Sequence, residues 1–238
     1  MNRVASKKGF TLIELMLAMA FLSILLLAVA MTIIQIGVTY NRGITLKEVN
    51  QSARNLNDEL SRSLSRAAAF DLSTNYVTNN AGGRLCMGQD SYIWNTGTAI
   101  QADDDELTGY DPLSSKADQT IRFIKVSDPA AIYCATNNGA LVYSNVRAAE
   151  AESAVNLLDA GDRELTLHTF DITSGANAND DLTGQQLYTL TFRIGTGNAQ
   201  ALTEDLSSCR PPSDPLSDFT YCTIQEFRLV LRATGQVN

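Results

Sequence analysis

From Leu15 to Ile34 the chain runs for twenty residues without a charged side chain, and Glu14 stands immediately before that run. A helix rises about 1.5 Å per residue, so the run alone spans roughly the 30 Å hydrocarbon core of a bilayer. Arg3, Lys7 and Lys8 all lie on its N-terminal side. Cationic flanks stay in the cytoplasm, which puts the N-terminus inside and everything after Ile34 outside. A cleaved secretory signal is the rival reading, with Ala28-Val29-Ala30 as its processing site. Such a signal has an apolar core of roughly 7–15 residues. The run here is longer, continues to Ile36, and carries an acidic residue that such a signal does not use.

Glu14 therefore needs its own explanation. An acidic side chain in a bilayer costs up to about a few kcal/mol, so intramembrane carboxylates usually have a partner and a function. Cutting the chain after Gly9 would give Phe10 a free amine four residues before Glu14. At helical spacing that amine and carboxylate share one face and can pair, within a chain or between neighbouring helices.

The run Lys7-Lys8-Gly9-Phe10-Thr11-Leu12-Ile13-Glu14-Leu15, followed by the apolar stretch, resembles the N-terminus of the type IV pilin superfamily. The resemblance implies that a membrane-embedded aspartyl prepilin peptidase cuts between Gly9 and Phe10 and N-methylates Phe10. It also implies that Glu14, the fifth mature residue, serves assembly. It covers residues 1 to about 40; beyond that it is a resemblance of architecture.

The helical pattern continues past the membrane. Val49, Ala53, Leu56, Leu60, Leu64 and Ala67 form one apolar stripe on an otherwise polar helix. No proline occurs before Pro112. A helix from Phe10 to about Phe70 would be about 90 Å long. A membrane helix joined to a separate one at Gly37–Gly43 fits the sequence nearly as well. The stripe is better suited to covering a sheet than to a coiled-coil seam, because charges do not flank it regularly.

Residues 71–118 read as loop-rich, interrupted by Asn79-Asn80, Gly82-Gly83 and Asp103–Glu106, with a short strand near Ser91–Trp94. The segment 119–238 alternates. Ile121 and Phe123, Leu165 and Leu167, Tyr188 to Ile194, and Phe227 to Leu231 place apolar residues at every second position. Ile132–Cys134 and Leu141–Tyr143 read as a hairpin around Asn137-Asn138-Gly139. Alternation means an antiparallel sheet with one dry face, and the helical stripe can cover it. The expected fold class is α+β, with the order the pilin resemblance implies: leader 1–9, filament-core helix 10–36, amphipathic helix 37–70, variable loop region 71–118, sheet 119–238.

Cys86, Cys134, Cys209 and Cys222 all fall outside the membrane, where an even count reads as disulfides. Three pairings are open. The short Cys209–Cys222 segment holds three of five prolines and is favoured, leaving Cys86–Cys134. In many pilins a C-terminal disulfide bounds a surface loop, and Cys209–Cys222 is similar in position, although it ends before the last strand. A zinc site lacks C-x-x-C spacing.

His168 sits at a polar position of a strand and reads as solvent-facing rather than catalytic. Asp103–Glu106 and Asn177–Asp181 are candidate calcium loops without EF-hand spacing, and read as solvated acidic loops. No phosphate loop, G-x-S-x-G or H-E-x-x-H occurs, so no enzyme and no cofactor are expected. A net charge of −8 argues against nucleic acid as a partner.

These readings converge on a structural subunit of a pilus-like or type II secretion filament. The resemblance favours larger minor pilins or J-type pseudopilins. The implied partners are prepilin peptidase, other subunits and an inner-membrane assembly platform. A membrane-tethered binding module or adhesin that does not polymerise is the alternative.

Overall fold

The computed structural model describes residues 9–102, 108–158, 164–175, 185–203, 208–218 and 220–233. One uninterrupted helix, α1 (Leu12–Arg66), carries the N-terminal third. It continues through Gly37 and Gly43, where the sequence allowed a break. At 55 residues it is about 80 Å long. Residues 9–36 are exposed throughout, whereas Thr45, Val49, Ala53, Leu56, Leu60 and Leu64 are buried. The helix therefore changes partner along its length, with an apolar first half free of the head and a striped second half packed into it. Burying Val49, Leu56, Leu60 and Leu64 contributes about 1.5–3 kcal/mol each.

After α1 come a short helix α2 (Leu72–Asn75) and strands β1 (Tyr76–Thr78), β2 (Gly82–Met87) and β3 (Asp90–Asn95). The segment expected to be loop-rich thus supplies three strands. Helix α3 (Gly97–Gln101) and strand β4 (Phe123–Ser127) follow. Next come the small pair β5 (Thr136–Asn137) and β6 (Ala140–Leu141), helix α4 (Ala148–Ala151) and strand β7 (Val155–Leu158). The chain closes with β8 (Leu165–Ser174), β9 (Gln186–Thr196) and β10 (Ile224–Ala233). The strands form a five-stranded sheet in the order β1-β2-β3-β4-β7 and a three-stranded sheet β10-β9-β8. All ladder pairings are antiparallel. Two sheets, rather than one, meet the helix.

One core cluster joins the stripe of α1 to Trp94 and Phe123 of the first sheet and to Phe170, Leu190 and Phe192 of the second. Trp94 and Phe170 lie 4.6 Å apart between ring centroids, so the aromatic contact itself bridges the sheets. Gly83 makes room for it: a Cβ there would lie 2.3 Å from the Trp94 ring. A second cluster, including Cys86, Ile93, Ile124, Val126 and Tyr133, covers the other face of the five-stranded sheet. Its central strands β2 and β3 are consequently buried on both faces.

The turn expected at Asn138-Gly139 is present, with φ of 51° and 81°, the left-handed pair a tight hairpin needs. Its strands are shorter than the sequence suggested, and Ile132–Cys134 is a 3-10 turn instead of a strand. Disulfides join Cys86 to Cys134 and Cys209 to Cys222. The first ties β2 to that 3-10 turn.

Candidate functional site

Thr11 is the N-cap of α1, and it fixes where the helix begins. Its Oγ1 accepts from the Glu14 backbone N–H at 3.3 Å, and the Thr11 N–H donates to Glu14 Oε2 at 2.8 Å. The Thr11 hydroxyl donates to the same carboxylate oxygen at 2.9 Å. Together they form a capping box that satisfies donors at the helix start. Because the helix starts at Leu12, the Gly9–Phe10 bond lies outside it. Both residues are exposed, Phe10 at 91%, and no described residue lies within 4 Å of where a Gly9 Cβ would be. Among the described residues, a protease acting on an extended backbone meets no obstacle there.

The pairing expected of Glu14 concerns the chain cut after Gly9; in the uncleaved chain Phe10 precedes the N-cap. The carboxylate is instead held by Thr11. Sequence reasoning missed Thr11, although the signal was present as Thr-x-x-Glu at the head of an apolar run. Lys7 and Lys8, the basic pair of the motif, lie outside the described residues.

Glu59 anchors the outer half of α1. Lys125 Nζ on β4 donates to Glu59 Oε1 at 2.8 Å and pairs with Asp90 Oδ2 on β3 at 2.9 Å. Tyr92 donates its hydroxyl to Ser63 at 2.6 Å. Burial works against the Lys125 charge, but the Glu59 and Asp90 bonds outweigh it and hold the ammonium's pKa above the ordinary lysine value. The Lys125 hydrogen bond holds the Glu59 carboxyl below the usual carboxylate range. The stripe and this cluster together fix the helix to the head.

Arg84 organises the region that the sequence left as loop. It is fully buried, and its guanidinium donates to the carbonyls of Tyr133, Tyr143 and Ser144 and to Thr108 Oγ1. Burial lowers its pKa to about 10, so it stays charged at neutral pH. Among the described residues, carbonyl dipoles balance it.

His168 differs from the expectation of a solvent-facing residue. A bulge between Leu167 and Thr169 turns it inward beside α3. Burial pushes its pKa down to about 4; the Thr196 backbone opposes that shift, but among the described residues neither ring nitrogen reaches a partner in hydrogen-bond geometry. The acidic segments Asp103–Glu106 and Asn177–Asp181 fall outside the described residues. Among the described residues no group of three His, Cys, Asp or Glu could hold a metal ion.

The comparisons bear on the N-terminus. A family model, the prokaryotic N-terminal methylation motif, matches residues 5–34. The N-terminus therefore carries the prepilin-type methylation motif of type IV pilins and pseudopilins. No curated protein and no solved structure matches it. The motif implies processing by a prepilin peptidase and assembly with other pilins, and it marks a structural rather than an enzymatic family. The apolar half of α1 is long enough to cross a membrane and fits a membrane-anchored protein.

Proposed function

We propose that this pilin-class chain is a filament subunit, a minor pilin or pseudopilin, of a type IV pilus-like or type II secretion system. The precursor is held in the cytoplasmic membrane by residues 10–36, with its N-terminus in the cytoplasm and its head outside. Cleavage between Gly9 and Phe10 and methylation of Phe10 yield the mature subunit. An inner-membrane assembly platform then moves its helix into a filament core. The observation that carries this reading is the continuous α1, apolar and exposed from Leu12 to Ile36 and fixed rigidly to a head beyond Thr45. An exposed apolar rod of that length needs a lipid or helical environment on all sides, and a bundle of like helices supplies one. In such a core Glu14 pairs with a neighbour's N-terminal amine. Removing one partner of a buried pair strands the other charge, so the pairing also sets register.

One observation favours the tethered, non-polymerising alternative: Thr11 already satisfies Glu14 within its own chain. Shearing filaments from cells separates the two readings. The filament reading expects the mature chain in the sheared fraction, dependent on prepilin peptidase. Its complete retention in the membrane beside abundant sheared filaments would favour the tethered module.

A further inference from the structure

Strand β10 is paired along one side only. It is the end strand of the three-stranded sheet, and its ten residues meet β9 without a bulge. Among the described residues no strand lies along its other side. The bond just before β10 sets the parity of its backbone: the Thr196 N–H donates to the Thr223 carbonyl at 3.0 Å. Backbone groups in an antiparallel ladder point to the two sides alternately. Those of Gln225, Phe227, Leu229 and Leu231 therefore face β9, and those of Glu226, Arg228, Val230 and Arg232 face outward.

Apolar packing is open on the same side. Phe227, Leu229 and Leu231 stand opposite Phe192, Leu190 and Tyr188, all at 0% exposure, yet are themselves only half-buried. The other end strand of this sheet, β8, is closed, with Phe170 and Ile172 buried. A row of unpaired backbone groups beside half-covered apolar side chains is the setting in which an extended segment adds as a further strand.

Side chains on the solvent face define what that segment carries. Glu226 is already paired with Arg193 at 2.8 Å. Among the described residues Arg228 has no hydrogen-bond or ion-pair partner, and Arg232 donates to the neutral Gln185 side chain. Val230, between the two arginines, is 63% exposed. A complementary segment puts carboxylates opposite Arg228 and Arg232 and apolar residues opposite Phe227, Leu229 and Leu231, because directly opposed side chains are the pairs that interact.

A second copy's β10 does not meet these terms. Pairing two β10 strands with their apolar rows on one side needs a two-fold axis perpendicular to the sheet. That axis reverses α1, whose stripe lies along the sheet, and sends the two apolar helix halves in opposite directions. One membrane or one filament core cannot hold both.

We propose that β10 is a docking edge for an extended segment of a partner protein in which apolar residues alternate with carboxylates. The segment adds antiparallel to β10 and covers Phe227, Leu229 and Leu231. The site depends neither on N-terminal processing nor on filament assembly.

The test uses the full chain in detergent and a fluorescent peptide, Glu-Leu-Thr-Val-Glu-Val-Lys, whose two glutamates face Arg232 and Arg228. Binding is read by anisotropy, and its location by amide hydrogen exchange. The expected result is saturable binding with slowed exchange at Glu226, Arg228, Val230 and Arg232. The peptide N-methylated at its threonine and second glutamate should not bind, because those nitrogens face β10. Arg228→Glu should weaken binding about fivefold, and a peptide with lysine at the facing position should recover it. Val230→Pro removes an outward N–H and leaves the bonds to β9, so it should abolish binding with the unfolding midpoint little changed. Four results would overturn the proposal: no saturable binding, equal binding of the N-methylated peptide, exchange protection that falls outside β10, or a dimer of the full chain that Val230→Pro dissolves.

Discussion

Thr11→Ala and Glu14→Ala separate two roles that the capping box joins. In the structure Glu14 completes a cap; in the proposed filament its charge meets a neighbour's amine. Thr11→Ala removes the cap hydroxyl and leaves the carboxylate in place. Loss of an N-cap threonine costs about 1 kcal/mol, or roughly fivefold in an equilibrium. Glu14→Ala removes the charge as well. If that charge is half of a buried intersubunit pair, its loss costs about 3–5 kcal/mol, a hundredfold or more in incorporation. Neither change should reach the head, because the first buried residue, Thr45, is about thirty residues and hence about 45 Å further along the helix. The assay is the ratio of subunit in sheared filaments to subunit in the membrane fraction. A subunit present in a few copies per filament shows the same effect as filament number. Thr11→Ala should lower the ratio a few-fold, and Thr11→Ser should restore it. Glu14→Ala and Glu14→Gln should nearly abolish incorporation while leaving membrane insertion intact. Equal, modest losses in Thr11→Ala and Glu14→Ala would reduce Glu14 to a cap residue and refute the pairing argument.

Leu60→Ala, at 0% exposure in the stripe, should destabilise the head by about 2–5 kcal/mol and lower its thermal midpoint by roughly 5–15 °C in a melting experiment. Replacing Cys209 and Cys222 together by alanine opens a loop closed across a separation of 13 residues and should cost about 3 kcal/mol, read by denaturant titration. His168 gives a pH signature. Its folded pKa of about 4 lies below the ordinary 6.5, so between those values the unfolded chain takes up a proton that the folded head refuses. Stability should therefore fall by about 3 kcal/mol as pH drops from 6.5 to 4, with no contribution above 6.5. His168→Gln should flatten that limb; an unchanged acid limb would show that the imidazole is solvated.

What the sequence made legible follows from which faces are wet. α1 has a polar surround, so its stripe stood out, and β9 alternates because its polar face is at most half covered. β2 is buried at every position between two neighbours and two cores, so Gly82-Gly83-Arg84-Leu85 offered no alternation to read. Nothing local marks Arg84 as buried, because the carbonyls that hold it come from Tyr133, Tyr143 and Ser144, about fifty to sixty residues away. His168 was misplaced by the bulge. Burial follows odd positions at Leu165 and Leu167 and even positions at Phe170 and Ile172, and the switch occurs at the histidine itself. The N-terminal motif was readable because its residues act in one contiguous segment. Thr11 is harder to read there, because a Thr-x-x-Glu cap is a weak signal beside a charge at the head of an apolar run.

On the proposed function the chain is a prepilin whose Gly9–Phe10 bond is cut before the helix enters a filament. Mass spectrometry of the N-terminal peptide from membranes and sheared filaments tests it most directly. The expected product is a mature chain beginning at N-methylated Phe10, lacking Arg3, Lys7 and Lys8, with a full-length precursor in cells without prepilin peptidase or carrying Gly9→Val. A native N-terminus at Met31 would restore the secretory signal and rule out prepilin processing, as would an intact Gly9–Phe10 bond in protein from peptidase-competent cells.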